Sequence, residues 1–271
     1  SFLMGYPATT DRNKYLIHPG YRMIETGWFF QDDWRVNRWL TLNPGIRWDY
    51  YSPISERNGL APNFDFVAQK AVFPGKDGVS MSGNVQKDRN NFSPRMGFAA
   101  QVGQKTVVRG GFGINYTPLL LGTFNAYRNP PYTSTLAIQA GNITPINKLG
   151  DPIPPVTPND PVNLSGPFYA VIFNYKTPYV LQYNLTVQRQ LPKGLVWTSS
   201  YAASLGRVQS GSNSTVDMDG APPGAAAVAT RRVYYGKYPG MTQLLTVKNY
   251  FTSSYHSMQT TLGLREVYGM T

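Results

Sequence analysis

The run Leu40-Thr41-Leu42-Asn43-Pro44-Gly45-Ile46-Arg47-Trp48-Asp49-Tyr50 alternates closely enough to decide the class of fold. Leu40, Leu42, Ile46, Trp48 and Tyr50 fall on one face; Thr41, Asn43, Gly45, Arg47 and Asp49 fall on the other. A period of two is the mark of a β-strand whose two faces meet different surroundings. Upstream, Thr26–Trp34 reads as the partner strand and Arg35–Trp39 as a short link. Pro44 is the departure. It lacks an N–H, so it removes a ladder bond and invites a bulge.

The same pattern recurs along the chain. Pro94–Val102 and Thr106–Tyr116 form a second pair joined by Gly103-Gln104-Lys105. Met96, Phe98, Ala100 and Val102 share a face, and Arg95, Gly97, Ala99 and Gln101 share the other. A third pair, Tyr179–Arg189 and Leu195–Ala203, turns around Leu191-Pro192-Lys193-Gly194, with Gln182 and Asn184 on its polar face. A further strand is expected over Tyr255–Val267. The strands run about 9–11 residues, the length that crosses a bilayer at a tilt. Strands in soluble domains average about 5–6.

Alternation alone also suits a soluble sandwich with one wet face. The connections discriminate better. Three tight turns alternate with long segments over Ser52–Asn91, Pro118–Pro178 and Ser204–Ser254. Stretches such as Pro152–Pro161 and Gly211–Gly224 are rich in Pro, Gly, Asn and Ser and read as loops, with room for short strands of their own. Short turns at one end and long loops at the other are the layout of an outer-membrane barrel. The expected fold is therefore all-β, an antiparallel transmembrane β-barrel segment with short periplasmic turns and long extracellular loops. No apolar run approaches the roughly 20 residues of a spanning helix.

Composition agrees. Charged residues are 14% of the chain against about 25% in an average soluble domain. Aromatics also reach 14%, led by 19 Tyr. There is no cysteine, which removes disulfides, thiolate metal sites and cysteine nucleophiles. The net charge of +11 is scattered, with Arg231-Arg232 its one adjacent pair, so nucleic acid is not an expected partner.

Candidate site residues follow from the faces. Arg47, Arg95, Arg109, Gln182 and Asn184 are expected to face the lumen, where the arginines meet acidic neighbours, a plug or anionic solutes. Trp28, Trp34, Trp48, Tyr50, Tyr116, Tyr179 and Trp197 are expected at the membrane interfaces. No catalytic constellation emerges. His18 and His256 have no partners at metal-ligand spacing, and His256 reads as an interface or loop residue. Asp32 and Asp33 are neighbours in a strand and point to opposite faces, with Arg35 or Arg47 as candidate partners. Asp217-Met218-Asp219-Gly220 lacks the later Glu of a calcium loop and reads as a solvated turn. Glycines 97, 111 and 113 read as allowing strand coiling or close approach. Neither metal nor cofactor is expected.

Phe30-Gln31-Asp32-Asp33-Trp34-Arg35-Val36, followed by the run from Leu40 to Tyr50, resembles a hairpin of TonB-dependent receptors of the Oar-like subgroup. Asn91-Phe92-Ser93-Pro94-Arg95-Met96-Gly97-Phe98 with Val108-Arg109-Gly110-Gly111-Phe112-Gly113 resembles the next hairpin. Pro178-Tyr179-Val180-Leu181-Gln182-Tyr183-Asn184-Leu185 with Gln188-Arg189-Gln190-Leu191 resembles a third, and Tyr255-His256-Ser257-Met258-Gln259 the following strand start. The resemblance implies an internal stretch of about seven strands from a barrel of about 22, in the cell outer membrane. Residues 1–271 would be part of one barrel domain, with the plug and remaining strands outside this chain. The implied function is TonB-dependent uptake of an unidentified small solute. The implied partners are the lipid bilayer, lipopolysaccharide and, through other parts of the protein, TonB. Two other readings remain open: a surface or secreted all-β binding or adhesion module, and an assembly of copies joined through open strand edges. An enzyme is not expected.

Overall fold

The computed structural model describes residues 5–7, 9–15, 18–119, 128–139, 148–152, 164–211 and 217–264. Seven strands form one antiparallel meander in chain order: β1 (Glu25–Gln31), β2 (Leu40–Tyr51), β3 (Asp88–Val102), β4 (Thr106–Tyr116), β5 (Tyr179–Gln190), β6 (Leu195–Ser210) and β7 (Asn249–Leu264). Every expected hairpin forms in the expected order. Several strands are longer than their alternation suggested, because β3, β6 and β7 run on toward the long connections. The end of the last expected strand, residues 265–267, lies outside the described residues, as do 153–161 and 212–216 of the stretches read as loops.

The turns are built by local chemistry. Asn37 Oδ1 accepts from the N–H groups of Trp39 and Leu40, both at 2.9 Å, and closes the β1–β2 link. Gly103 turns β3 into β4 at φ 71°, and Lys193 and Gly194 turn β5 into β6 at φ 60° and 75°.

Pro44 causes no bulge against β3, where it pairs in register with Met96. Its effect falls on the other neighbour. Its carbonyl accepts from Asp32 N–H at 3.0 Å, but it has no N–H to return. The first strand breaks there, ending at Gln31 and resuming as Trp34–Arg35 in the same register on β2.

The sheet separates its faces rung by rung. One face carries the rungs Trp28–Trp48–Phe92, Leu42–Phe98–Gly110–Leu185–Tyr201–Met258, and Met96–Phe112–Tyr183–Ala203–His256. It is apolar yet exposed: Trp28 is 73% and Met258 74% accessible. The rungs of Trp197 and Tyr179 stand ten residues apart on β5. At about 3.4 Å per residue and a tilt near 40°, that interval projects to about 26 Å, matching the apolar band of a barrel wall at about 25 Å.

The buried apolar core lies elsewhere, in the long connections. One cluster gathers Ile54, Ala61, Val171, Tyr175 and Val247. A second gathers Phe64, Leu164, Phe168, Tyr234, Met241 and Leu244 with others. Among the described wall residues, Ala203 is the one buried hydrophobic residue. The connections therefore fold into a roof with its own core, standing on the loop end of the wall. Its centre is a parallel pair, Gly166–Val171 beside Met241–Val247. Short pairs, Asn63–Asp65 with Lys70–Val72 and Tyr21–Arg22 with Ser55–Glu56, complete it. Thr9–Tyr15 pairs separately with Thr133–Gln139.

Candidate functional site

The polar face of the wall and the roof above it form the candidate site. Asn43–Gly97–Gly111–Asn184–Ala202–Ser257 make one rung, and Gln31–Gly45–Arg95–Gly113–Gln182–Ser204–Tyr255 the next toward the roof. Thr41–Ala99–Arg109–Thr186–Ser200–Gln259 lie one rung nearer the turns, and Phe29–Arg47–Ser93 one rung nearer the roof. All five polar-face candidates thus share one surface. Its arginines climb diagonally, from Arg109 on β4 through Arg95 on β3 to Arg47 on β2.

Their environments differ. Arg47 Nε donates to both oxygens of Asp49, at 2.7 and 2.9 Å, within its own strand. The pair lies flat across Gly27, where any Cβ would meet Asp49 Oδ1 at 2.7 Å and Arg47 Nη2 at 2.9 Å. Arg95 lies over Gly45 in the same way, its Cγ 2.8 Å from where a Cβ would be. Arg95 and Arg109 are exposed and make no ion pair among the described residues, leaving two free guanidinium groups on this face. Gln182 accepts from Asn115 at 3.4 Å.

Asp33 takes a hydrogen bond from Asn43 across the polar face, and among the described residues neither Asp32 nor Asp33 pairs with an arginine. The Arg47 partner is Asp49. His256 is a strand residue rather than a loop residue: it sits mid-wall on the apolar face, Nδ1 2.7 Å from the Tyr201 hydroxyl. The aromatic candidates lie on the apolar face toward its two ends. Trp28, Trp48, Tyr50, Tyr116 and Tyr179 stand toward the roof, with Tyr116 and Tyr179 rings 5.4 Å apart; Trp34 and Trp197 stand toward the turns.

The roof is organised by polar side chains, several of which the sequence did not single out. Asn63 and Asn129 act as substitute peptide groups along the free edge of Gly166–Val171. Asn129 bonds both backbone groups of Tyr169, at 2.6 and 2.8 Å, and the Pro62 carbonyl at 2.7 Å. Asn63 bonds both backbone groups of Val171 and the Gly83 carbonyl, each at 2.9 Å. Glu56, fully buried, accepts from the N–H groups of Gly20, Asn58 and Leu60. Asp217 and Asp219 are structural acceptors; Asp217 is exposed, as in a solvated turn, but Asp219 is buried, which corrects that reading at Asp219. Asp217 takes N–H bonds from Asp219 and Leu244. Asp219 is fully buried, takes the Tyr234 N–H at 2.7 Å and pairs with Arg232 at 3.2 Å. Burial raises the Asp219 carboxyl pKa, against the opposing pull of the Tyr234 N–H and the Arg232 guanidinium. The Tyr21 phenol is pushed up to about 12, chiefly by burial, and stays protonated. No cluster of three or more metal-ligating side chains occurs among the described residues.

The roof joins the wall through Asp88, which accepts the Thr177 N–H at 2.8 Å and pairs with Lys176 at 3.7 Å. Asn91 donates to Thr177 Oγ1 beside it. A small recess of about 40 Å³ opens at this junction, lined by Met23, Tyr51, Ile54, Asp88, Val171 and Tyr175 among others.

Residues 1–271 match the family model described as an outer membrane beta barrel domain. No curated protein sequence matches. The siderophore receptor PirA from Pseudomonas aeruginosa is similar over 88% of this chain and 30% of its own, at 13% identity and a TM-score of 0.42. A double mutant of the Serratia marcescens hemophore receptor HasR, in complex with its hemophore HasA and heme, is similar over 89% and 31%, at 12% identity and a TM-score of 0.43. The chain spans less than a third of the length of either solved protein.

Proposed function

The chain belongs to the outer membrane beta barrel domain family and resides in the cell outer membrane; from that premise we propose that it is a wall segment of a TonB-dependent uptake receptor. One observation carries the reading. A seven-strand meander presents an exposed apolar face and a polar face studded with arginines, with tight turns at one end and a folded roof at the other. The apolar face meets lipid, and the aromatics at its two ends sit at the bilayer interfaces. Arg47, Arg95, Arg109, Gln182 and Asn184 line the lumen. The two free guanidinium groups favour an anionic solute or carboxylates of a plug. The roof faces the exterior and governs entry. The TonB step rests on the hairpin motifs and their resemblance to receptors of that class.

The test uses the full-length receptor from its native membrane. Unboiled, it should run as a compact band that slows on boiling, and it should bind the purified periplasmic domain of TonB. A band unmoved by boiling would remove the barrel. A heat-shifting band with no TonB binding would leave a barrel and remove the energy-coupled receptor.

A further inference from the structure

The apolar face of the wall is not uniform. On β2 and β3 its positions from Leu40 to Ile46 and from Pro94 to Ala100 carry no polar side chain. At the same depth on β6 and β7 it carries a polar stripe. Ser199 and Thr260 are cross-strand there, with hydroxyls 3.1 Å apart. Toward the roof, the Tyr201 hydroxyl meets His256 Nδ1 at 2.7 Å. Tyr183 stands beside Tyr201, ring centres 6.2 Å apart. Ala203 pairs with both Tyr183 and His256 and is 4% accessible beneath these rings. Ser254, cross-strand from Leu205, continues the stripe.

Such a cluster is costly against lipid. An ionisable side chain in the middle of a bilayer marks a protein contact or a polar pathway. When neutral, the tips of Tyr183, Tyr201 and His256 each carry one donor and at least one acceptor. Bonds between adjacent rings engage at most two of each, so at least one donor and one acceptor stay free. Hydrocarbon answers neither. The neighbours on this face do not answer them either, being Phe112, Leu185 and Met258.

We propose that this stripe is the seat of a second copy of the receptor, with two barrels meeting face to face across β6 and β7. The contact rests on the barrel reading above, in which this face looks outward. Two copies in one membrane are related by a twofold axis along the bilayer normal, so each residue meets its counterpart at its own depth. A cluster with one free donor and one free acceptor is complementary to itself. The donor of each copy meets the acceptor of the other, and the bond forms twice. Ser199, Thr260 and Ser254 are short and let the two walls approach closely. The strand edges take no part, so the ladder of each barrel is untouched.

The experiment uses full-length receptor in its native outer membrane. A cysteine is introduced at Ser254, or at Met96 on the apolar part of the same face, and the membranes are oxidised with copper phenanthroline beside the unsubstituted receptor. Ser254→Cys should give a disulfide-linked band of twice the receptor mass, and Met96→Cys should not. His256→Phe and Tyr201→Phe keep a ring and remove the polar tip. Each should weaken self-association about tenfold in sedimentation equilibrium in neutral micelles, and each should keep the heat-dependent gel shift. Equal cross-linking at both cysteine positions, no linked band at Ser254→Cys, or a His256→Phe variant that associates like wild type would overturn the proposal. A linked band of any other mass would give the stripe to a different protein and overturn the second copy. Should the phenylalanine variants fail to fold, the two cysteine positions still decide. A wild-type band unshifted by boiling marks failure of the barrel reading instead.

Discussion

Replacing Asn63 with alanine should open the roof and leave the wall standing. Asn63 is fully buried and makes three hydrogen bonds to backbone, each 2.9 Å: to the Gly83 carbonyl, the Val171 carbonyl and the Val171 N–H. Alanine leaves all three groups inside without a partner. At about 1 kcal/mol for each lost bond, the roof loses about 3 kcal/mol. That corresponds to roughly a hundredfold rise in the opened population. No wall strand is touched, because every Asn63 partner lies in the connections. Limited proteolysis of full-length receptor in micelles reads this directly, since cleavage follows the opened population when closing is fast. Cuts within residues 52–87 and 164–178 should appear about a hundredfold faster in N63A. The heat-dependent gel shift of the barrel should be unchanged. Cleavage within about threefold of wild type, under 1 kcal/mol, would refute the bridging role.

Three other perturbations test other parts of the structure. Leu185→Arg puts a charge mid-wall on the apolar face and should cost about 2–4 kcal/mol in urea unfolding from liposomes, whereas Asn184→Arg on the polar face should cost little; equal costs would deny the two-faced wall. Gly110→Ala forces a Cβ to within 2.5 Å of the Phe98 ring and 3.1 Å of the Asn184 carbonyl. It should lower the temperature of the gel shift, by about 1–3 kcal/mol of overpacking. Arg232→Met leaves Asp219 buried without its cation and should loosen the roof by about 3 kcal/mol. The Asp219 folded pKa already lies above the usual 3.8. The folded roof therefore holds more protons than the open one above pH 3.8, and stability falls as pH rises through the folded value. Losing Arg232 moves that value up, so proteolysis of R232M should be faster at pH 8 than at pH 5.

The wall was legible in the sequence because its information is local. Alternation at period two fixes which of Arg47, Trp48 and Asp49 share a face, and the turn residues fix the hairpins. Pro44 was visible, but which neighbour would lose a bond depends on ladder phase, which one strand cannot reveal. The roof was not legible. Its core joins Phe64, Phe168, Tyr234 and Leu244 from three separate connections, and its key bonds span 108 residues from Asn63 to Val171. Nothing near Asn63 or Asn129 in the chain marks them as strand substitutes. Asp217 and Asp219 did stand out as a motif, yet their partners Leu244, Tyr234 and Arg232 lie downstream, so the spacing suggested a wet turn.

The two amide bridges have an evolutionary consequence. Asn63 ties residues 83 and 171 together, and Asn129 ties residues 62 and 169. Each connection therefore supplies part of the mould in which the others set. A receptor whose outer loops hang separately can trade them one at a time as its environment changes. Here an insertion in one connection alters the seat of the next, so changes in the roof must arrive as compatible sets. Divergence among descendants of this chain should be concentrated at exposed tips such as Val67, while the bridged positions change together or not at all.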